Sequence, residues 1–253
     1  MHCPTTCFRL TWFDHTSSYP GLIGMRSSLC ILAAVVTGLF VVNVGAAQEP
    51  PPPADDQREL PPVGDWRLKR QCIEAYDERD YATAEQACKP LAEKGDVEAQ
   101  RKLGMIYLSG YGVFNTEKRA EKWIRKAAEQ GDPQAQFTLG TMYLHGVGVA
   151  KLEPFAAQWI MKAAQNGHVE AQETLAYMYL VGQGVEKNPS KAVEWYTRAA
   201  DNGYAKAQYN LGVLYYKGRG VVQDVDKGLR LIKKAADNGY EEAKKTLEMI
   251  GKP

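Results

Sequence analysis

The sequence predicts an all-α protein, a right-handed superhelical solenoid of antiparallel helical hairpins. A glycine-led dipeptide recurs every 36 residues, at positions 95, 131, 167, 203 and 239. Each of the first four is followed by Ala-Gln, Leu-Gly or Leu-Ala, Tyr, Gly-x-Gly-Val and a run that ends in Ala-Ala. A fixed period in this range is typical of stacked helical hairpins. Such solenoids present extended surfaces to partners, and their repeated residues serve packing rather than chemistry.

Residues 1–47 are predicted to be an N-terminal extension and a signal peptide, with Met25 as the expected start of translation. Arg26 precedes an apolar run over residues 29–44, and the small residues that follow it predict cleavage after Ala47. An uncleaved anchor is the alternative, because residues 29–47 are 19 residues long, just enough to cross a bilayer. Since the basic residues precede the apolar run, both interpretations place the repeats outside the cytoplasm. We therefore expect a periplasmic or secreted protein, or one anchored in the inner membrane with periplasmic repeats.

The segment 48–64 contains six prolines and is predicted to be a stiff, solvated linker. The whole chain has 31 Lys+Arg and 30 Asp+Glu, and residues 1–47 hold Arg9, Arg26 and Asp14, so 29 residues of each sign follow the leader. Nucleic-acid binding needs a basic excess that is missing here. We expect no nucleic-acid partner, and membrane attachment only if the leader is uncleaved.

Residues 65–94 predict a helical hairpin with its turn near Asp80. Cys72 lies eight residues before Asp80 and Cys88 eight residues after it, so the two side chains can face each other across the helix pair. We predict a disulfide between them, which suits an oxidising compartment. Two reduced, buried cysteines are the alternative. A metal or redox role is not expected, because these cysteines form no Cys-x-x-Cys pattern and have no histidine nearby.

Four full repeats are predicted at residues 95–130, 131–166, 167–202 and 203–238, followed by a closing helix over 239–253. In the first repeat, Ala99, Leu103 and Tyr107 recur at a spacing of four, which places them on one face of a helix. Gly104 is expected to let the neighbouring helix approach closely. In the second helix of each repeat, a tryptophan stripe is predicted to belong to the core, at positions 123, 159 and 195.

Departures from this frame predict local differences. Asp96 is expected to cap the first helix, and Thr116, Asn188 and Asp224 to cap second helices. The second repeat has Leu152 at that position, so its second helix should start less firmly. In the fourth repeat, two substitutions predict a looser hairpin, namely Gly228 for alanine and Leu231 for tryptophan.

The recurring pattern Ala-x-x-x-Leu-Gly-x-x-Tyr-x-x-Gly-x-Gly-Val, followed by Ala and Ala-Ala before Gly, resembles the Sel-1-like repeat family. The resemblance covers residues 95–238 and implies tetratricopeptide-like hairpins with a longer loop. Residues 66–94 look like the degenerate opening hairpin of secreted members. The resemblance also implies a protein-interaction scaffold or adaptor, with members known in cell-envelope complexes.

In such superhelices the first helix of each pair lines the concave side. Because Ala99, Leu103 and Tyr107 point to the core, the opposite face is expected to hold a protein or peptide ligand. Phe137, Tyr177 and Tyr209 would form an aromatic track there; the alternative is that these rings lie over their own helices and bind nothing. The predicted partner-binding residues are Arg101, Met105, Phe137, Thr141, His145, Glu173, Tyr177, Tyr209 and Lys217.

Catalytic motifs are missing after the leader. His145 and His168 are the only histidines there, without a His-Glu-x-x-His pattern, and neither Ser109 nor Ser190 begins Ser-x-x-Lys. We expect no enzyme activity, no cofactor and no metal, and a monomer. Two alternatives remain: a cell-wall glycan-binding module that stacks sugars on the aromatic track, and a β-lactamase-like hydrolase. The hydrolase rests on cysteine-rich relatives that carry a cysteine pair in every repeat, whereas this chain has one pair.

Overall fold

The computed structural model describes residues 64–110 and 116–250. Over these residues the chain forms eleven helices and no strand, which confirms the all-α prediction. The predicted leader and nearly all of the linker lie outside the described residues. The helices are α1 Asp65–Asp77, α2 Tyr81–Glu93, α3 Val97–Leu108, α4 Thr116–Glu129, α5 Pro133–His145, α6 Glu153–Gln165, α7 Val169–Val181, α8 Pro189–Asp201, α9 Ala205–Lys217, α10 Val225–Asp237 and α11 Glu241–Ile250.

Each helix packs against the helices that precede and follow it in the chain, which is the arrangement of a solenoid. Within a repeat, a small residue in the first helix lets the second helix approach. A Cβ atom added at Gly104 would lie 2.7 Å from the Ile124 side chain, and one at Gly140 would lie 2.5 Å from Ile160. The close approach predicted for Gly104 is therefore present.

Helix starts follow the capping predictions in most repeats. Asp96 accepts a hydrogen bond from the Ala99 amide at 2.9 Å, and Asn188 and Asp224 cap α8 and α10 in the same way. Leu152 precedes α6 without a side-chain cap, as expected. The prediction for Thr116 is wrong in register, because α4 already begins at that residue.

The last hairpin is closely packed, so the expectation that Gly228 loosens it is wrong. Gly228 is buried, and a Cβ atom there would lie 2.8 Å from the Gly212 carbonyl oxygen. The two glycines bring the backbones of α9 and α10 together, a contact that alanine at either position would prevent.

The tryptophan stripe is only partly in the core. Trp123 is buried, whereas Trp159 and Trp195 are half-buried. Their outer faces are covered by cations one turn further along the helix: Lys162 lies 4.1 Å from the Trp159 ring centroid, and Arg198 lies 4.4 Å from that of Trp195. Cation–π contacts of this kind shield an aromatic face from water.

A buried glutamine links each repeat to its neighbours, a role that sequence reasoning did not assign to the recurring Ala-Gln. The side-chain amides of Gln100, Gln136, Gln172 and Gln208 donate to carbonyls of the preceding helix, at 3.0 to 3.2 Å. The side-chain oxygen of Gln136 accepts from Asn166, and that of Gln208 accepts from Asn238. Because buried amides are costly when unpaired, these bonds fix how successive hairpins stack.

The link is incomplete within the third repeat. Asn202, which corresponds to Asn166, donates to the Arg198 carbonyl of its own helix at 2.9 Å. The Gln172 side-chain oxygen is consequently buried without a hydrogen-bond partner. The third repeat therefore lacks one of the bonds that the other repeats have.

The structure contains the disulfide between Cys72 and Cys88, with the two Cα atoms 4.9 Å apart. It joins α1 to α2, and both cysteines are buried in the core cluster that also includes Leu103 and Ile124. The cross-link therefore fixes the first hairpin, whose outer side has no preceding repeat in the described part of the chain.

Removal of the disulfide by the double substitution Cys72→Ala and Cys88→Ala should lower the free energy of unfolding by about 3 kcal/mol, because the unfolded chain regains the freedom of the closed loop. Urea denaturation measures this value. The wild-type chain in reducing buffer should show a loss of similar size, and an unchanged midpoint in both cases would contradict a structural role.

The side-chain links predict different costs for equivalent asparagines. Asn166→Ala should lower the free energy of unfolding by about 1–2 kcal/mol, because it leaves the buried Gln136 oxygen without its donor. Asn202→Ala should lower it by less than about 0.5 kcal/mol, because Asn202 bonds only its own helix. Urea denaturation of both variants tests this difference, and equal costs would refute the role of the link.

Candidate partner-binding face

We use the name A face for the surface formed by the nine predicted partner-binding residues of α3, α5, α7 and α9. We call residues 101, 137, 173 and 209 the first variable position of their repeats. The side chain at this position contacts the repeat or helix that follows. The guanidinium Nε of Arg101 lies 3.2 Å from a carboxylate oxygen of Asp132, and the Phe137 ring stacks on His168 with centroids 4.7 Å apart. Tyr209 packs against Tyr240 with centroids 5.3 Å apart. These residues join neighbouring repeats.

His168 occupies a place in this series where two other repeats have aspartate. Its Nδ1 accepts a hydrogen bond from the Ala171 amide at 3.1 Å, so it caps α7, and its Nε2 lies 3.0 Å from the Gln134 side-chain oxygen. The neutral tautomer with hydrogen on Nε2 satisfies both contacts. Burial lowers the pKa of His168, and the carboxylates of Glu170 and Asp132 oppose that shift only in part.

The third repeat departs from the others because its first variable position is a buried carboxylate. Glu173 is only 5% exposed. One of its oxygens accepts from the Lys206 ammonium and the other from the Asn210 amide, both at 3.1 Å and both from the next repeat. A buried carboxylate held by a cation and an amide has a fixed position and direction.

A cleft of about 310 Å³ lies directly beside this carboxylate, lined by Glu173, Thr174, Tyr177, Lys206 and Asn210. Tyr177 stands at its edge with 51% of its surface exposed. Val181, one helical turn along α7, is also exposed. The cleft therefore combines polar groups in fixed positions with an exposed apolar strip.

The Glu173 carboxylate stabilises the charged form of Lys206 in the cleft. Burial alone would lower the pKa of Lys206, but the adjacent Glu173 carboxylate outweighs it, so the net pKa is raised. Burial is also the main cause of the raised pKa of Tyr196 and Tyr204, and the Glu173 carboxylate adds to it. At neutral pH the cleft therefore contains a lysine cation, and the nearby phenols of Tyr196 and Tyr204 are neutral.

The aromatic track is not uniformly exposed. Phe137 and Tyr209 are half-buried against the next repeat, and Tyr209 also has its hydroxyl 3.2 Å from that of Thr246. Of the three rings, only Tyr177 is exposed.

The other predicted residues are distributed along the A face. Arg101, Met105 and Thr141 are half-buried, while His145 and Lys217 are exposed. The Thr141 hydroxyl donates to the Thr138 carbonyl at 2.7 Å. The structure brings only Glu173 and Tyr177 of the nine into the cleft.

Sequence reasoning missed the contributions of Thr174 and Asn210. Both lie one residue after the first variable position of their helices and three residues before the next one, and residues three apart share a helix face. That spacing indicates that Thr174 and Asn210 lie on the outward face of their helices. Lys206 belongs to the same outward face, but its partner Glu173 lies 33 residues earlier, beyond the reach of a pattern within one helix.

No three His, Cys, Asp or Glu side chains within 64–110 and 116–250 are grouped so as to hold a metal ion. In the same part of the chain, no helix is both long and apolar enough to cross a membrane.

The repeats match a known family and known structures. The Sel1 repeat profile matches residues 97–132, 133–168, 169–204 and 205–240. A Sel1 repeat protein from Oxalobacter formigenes is 37% identical, with a TM-score of 0.67, over 74% of this chain and 78% of that chain. The structure of c5321, a protective antigen of uropathogenic Escherichia coli with an SLR fold, is 34% identical, with a TM-score of 0.66, over 70% of this chain.

The match covers only 39% of the E. coli antigen, so this chain corresponds to a part of that protein. A search of curated proteins finds no match. The four profile matches span residues 97–240, which include α3 to α10 and therefore the helices that carry the A face.

Protonation of His168 should weaken the fold. Since the folded-state pKa lies below the ordinary value near 6.5, its contribution is full above about pH 6.5 and is lost as the pH falls from there toward the folded-state pKa. Substitution His168→Asn keeps a capping side chain without titration. Urea denaturation at pH 7.5 and 5.5 should show a larger loss in the wild type than in the variant, and equal losses would contradict the assignment.

Proposed function

We propose that this chain, which belongs to the Sel1 repeat family, is an exported scaffold that holds a segment of a partner protein on its A face. Proteins of this family are generally non-catalytic scaffolds for protein interaction. The cleft between α7 and α9 is the observation that supports this proposal best. There a buried, paired Glu173 fixes polar groups beside the exposed ring of Tyr177.

The cleft has the composition expected of a binding centre. Tyrosines near buried, well-packed positions contribute much of the energy of protein interfaces. Tyr177 and Val181 offer apolar contact, while Lys206, Asn210 and Thr174 offer hydrogen bonds to a peptide backbone or a polar side chain. Because Glu173 already pairs with Lys206 and Asn210, little side-chain ordering is needed when a partner binds.

An extracytoplasmic location is part of the proposal. The disulfide between Cys72 and Cys88 suits an oxidising compartment. The predicted leader, which lies outside the described residues, agrees with a periplasmic or secreted protein. By resemblance to its family, a cell-envelope complex is the proposed setting, with the concave groove as the docking surface and the chain itself as a monomer.

The glycan-binding alternative loses part of its support. A sugar chain would need several exposed rings in a row. Phe137 and Tyr209 pack against the next repeat, so Tyr177 alone remains available as a platform in the cleft. We therefore favour a protein segment as the ligand.

Substitution Tyr177→Ala should weaken partner binding about tenfold or more without unfolding the chain, because the lost ring is exposed. The partner is first captured by crosslinking from envelope extract and then purified, and its affinity for each variant is measured by titration.

Tyr216→Ala is the matched control, because Tyr216 is also partly exposed but packs toward α10, away from the cleft. Equal affinity of the two variants would remove the cleft from the binding site. The half-buried Phe137 and Tyr209 are left intact, since their substitution would disturb packing between repeats.

A further inference from the structure

An Asn-Gly dipeptide follows the second helix in three repeats, at residues 166–167, 202–203 and 238–239. Asparagine is a thermolabile residue, and a glycine after it has no Cβ atom to obstruct attack of the next backbone nitrogen on the asparagine side chain. Both residues are exposed in all three pairs, so access of water does not distinguish them.

Two of these pairs share their local sequence and their backbone. Residues 199–204 and 235–240 both read Ala-Ala-Asp-Asn-Gly-Tyr. Asn202 has φ −77° and ψ 9°, and Asn238 has φ −82° and ψ 11°. Each following glycine donates its amide hydrogen to a carbonyl three residues earlier, at 3.0 and 2.9 Å. Any difference in reactivity between the two pairs must therefore come from the tertiary surroundings of the asparagine side chain.

The asparagine side chains are held differently. The Asn238 amide donates to the side-chain oxygen of the buried Gln208 at 2.8 Å, and Asn166 donates to that of the buried Gln136 at 2.9 Å. Asn202 instead donates to a carbonyl of its own helix at 2.9 Å, through an exposed bond. Asn202 therefore lacks the link to a glutamine that holds the other two.

Loss of the side-chain amide passes through a ring. The nitrogen of the following glycine gives its proton to hydroxide and attacks Cγ of the asparagine, so an N–Cγ bond forms. The Cγ–Nδ2 bond then breaks, and the amide nitrogen takes a proton from water and leaves as ammonia. Water opens the resulting succinimide at either carbonyl, which gives aspartate or isoaspartate. Attack requires the asparagine side chain to turn toward the next nitrogen, so the side chain must first leave its hydrogen bond.

The cost of leaving that hydrogen bond differs between the sites. When Asn238 turns away, the Gln208 oxygen stays buried without a donor. Gln208 cannot reverse its amide without loss, because its nitrogen donates to the Ala200 carbonyl at 3.1 Å. At Asn202 the released carbonyl lies at an exposed helix end, where water replaces the donor. Asn202 therefore reaches the reactive arrangement at the lower cost.

We infer that Asn202-Gly203 is a site of spontaneous deamidation in the folded chain, whereas Asn166 and Asn238 are protected by their glutamine partners. Aspartate at this position adds a negative charge at the negative end of the α8 dipole. Isoaspartate adds one atom to the backbone directly before α9. The modification therefore falls at the joint between the third and fourth repeats.

The full chain is incubated at pH 8.0 and 37 °C, and samples taken over time are digested with trypsin and mapped by mass spectrometry. Cleavage after lysine and arginine places the three pairs in separate peptides, namely 163–187, 199–206 and 235–244. Conversion at Asn202 should be at least about fivefold faster than at Asn238 or Asn166. In guanidinium chloride with a reductant, Asn202 and Asn238 should convert at equal rates, because their sequence neighbours are the same.

Gln208→Met is the matched variant, because it removes the oxygen that holds Asn238 and nearly keeps the volume of the side chain. Conversion at Asn238 should rise toward the rate at Asn202, while Asn166 stays slow. Circular dichroism shows whether the variant folds, and if it does not, the comparison within the wild-type chain decides alone.

Equal rates at Asn202 and Asn238 in the folded wild type, including no conversion at either, would overturn the inference. A faster rate at Asn238 would do the same. An unchanged rate at Asn238 in a folded Gln208→Met variant would show that the glutamine gives no protection, and would also overturn it.

Discussion

The structure depends on hydrogen bonds from a buried glutamine that tie each helical hairpin to its neighbours. Gln100, Gln136, Gln172 and Gln208 are all buried, and each donates to a carbonyl of the helix before it. Burial of apolar surface is non-directional, so it does not by itself specify which groups of two hairpins meet. A buried amide does specify them, since it loses its partner when the register changes. The glutamine therefore sets the position from which every A-face residue projects.

The sequence predicted the frame of the fold because that frame repeats. The 36-residue period and the spacing of Ala99, Leu103 and Tyr107 are visible without any structure. The disulfide was also predictable, since Cys72 and Cys88 lie at equal distances from the turn at Asp80. Both inferences use relations within one hairpin, where sequence distance and spatial distance correspond closely.

Relations between repeats were harder to predict. Phe137 was expected to be exposed, but it stacks on His168, which lies in the next repeat. Glu173 was expected on the surface, but Lys206 and Asn210 of the next repeat cover it. A pattern within one helix shows which side a residue faces. It does not show which side chain of the following hairpin lies above it.

The structure places its candidate for recognition at variable positions of the repeat rather than in its frame. At Glu173 the fourth-repeat residues Lys206 and Asn210 build a cleft. The frame residues there remain committed to packing. The solenoid thus uses one set of residues for packing between repeats and another set for contact with a partner.

Hydrogen–deuterium exchange of the full chain with and without its captured partner tests the central claim most directly. The account predicts slower exchange in α7 and α9, at residues 169–181 and 205–217, because the cleft lies between them. Protection confined to the second helices of the repeats, with α7 and α9 unchanged, would contradict a partner site on the A face.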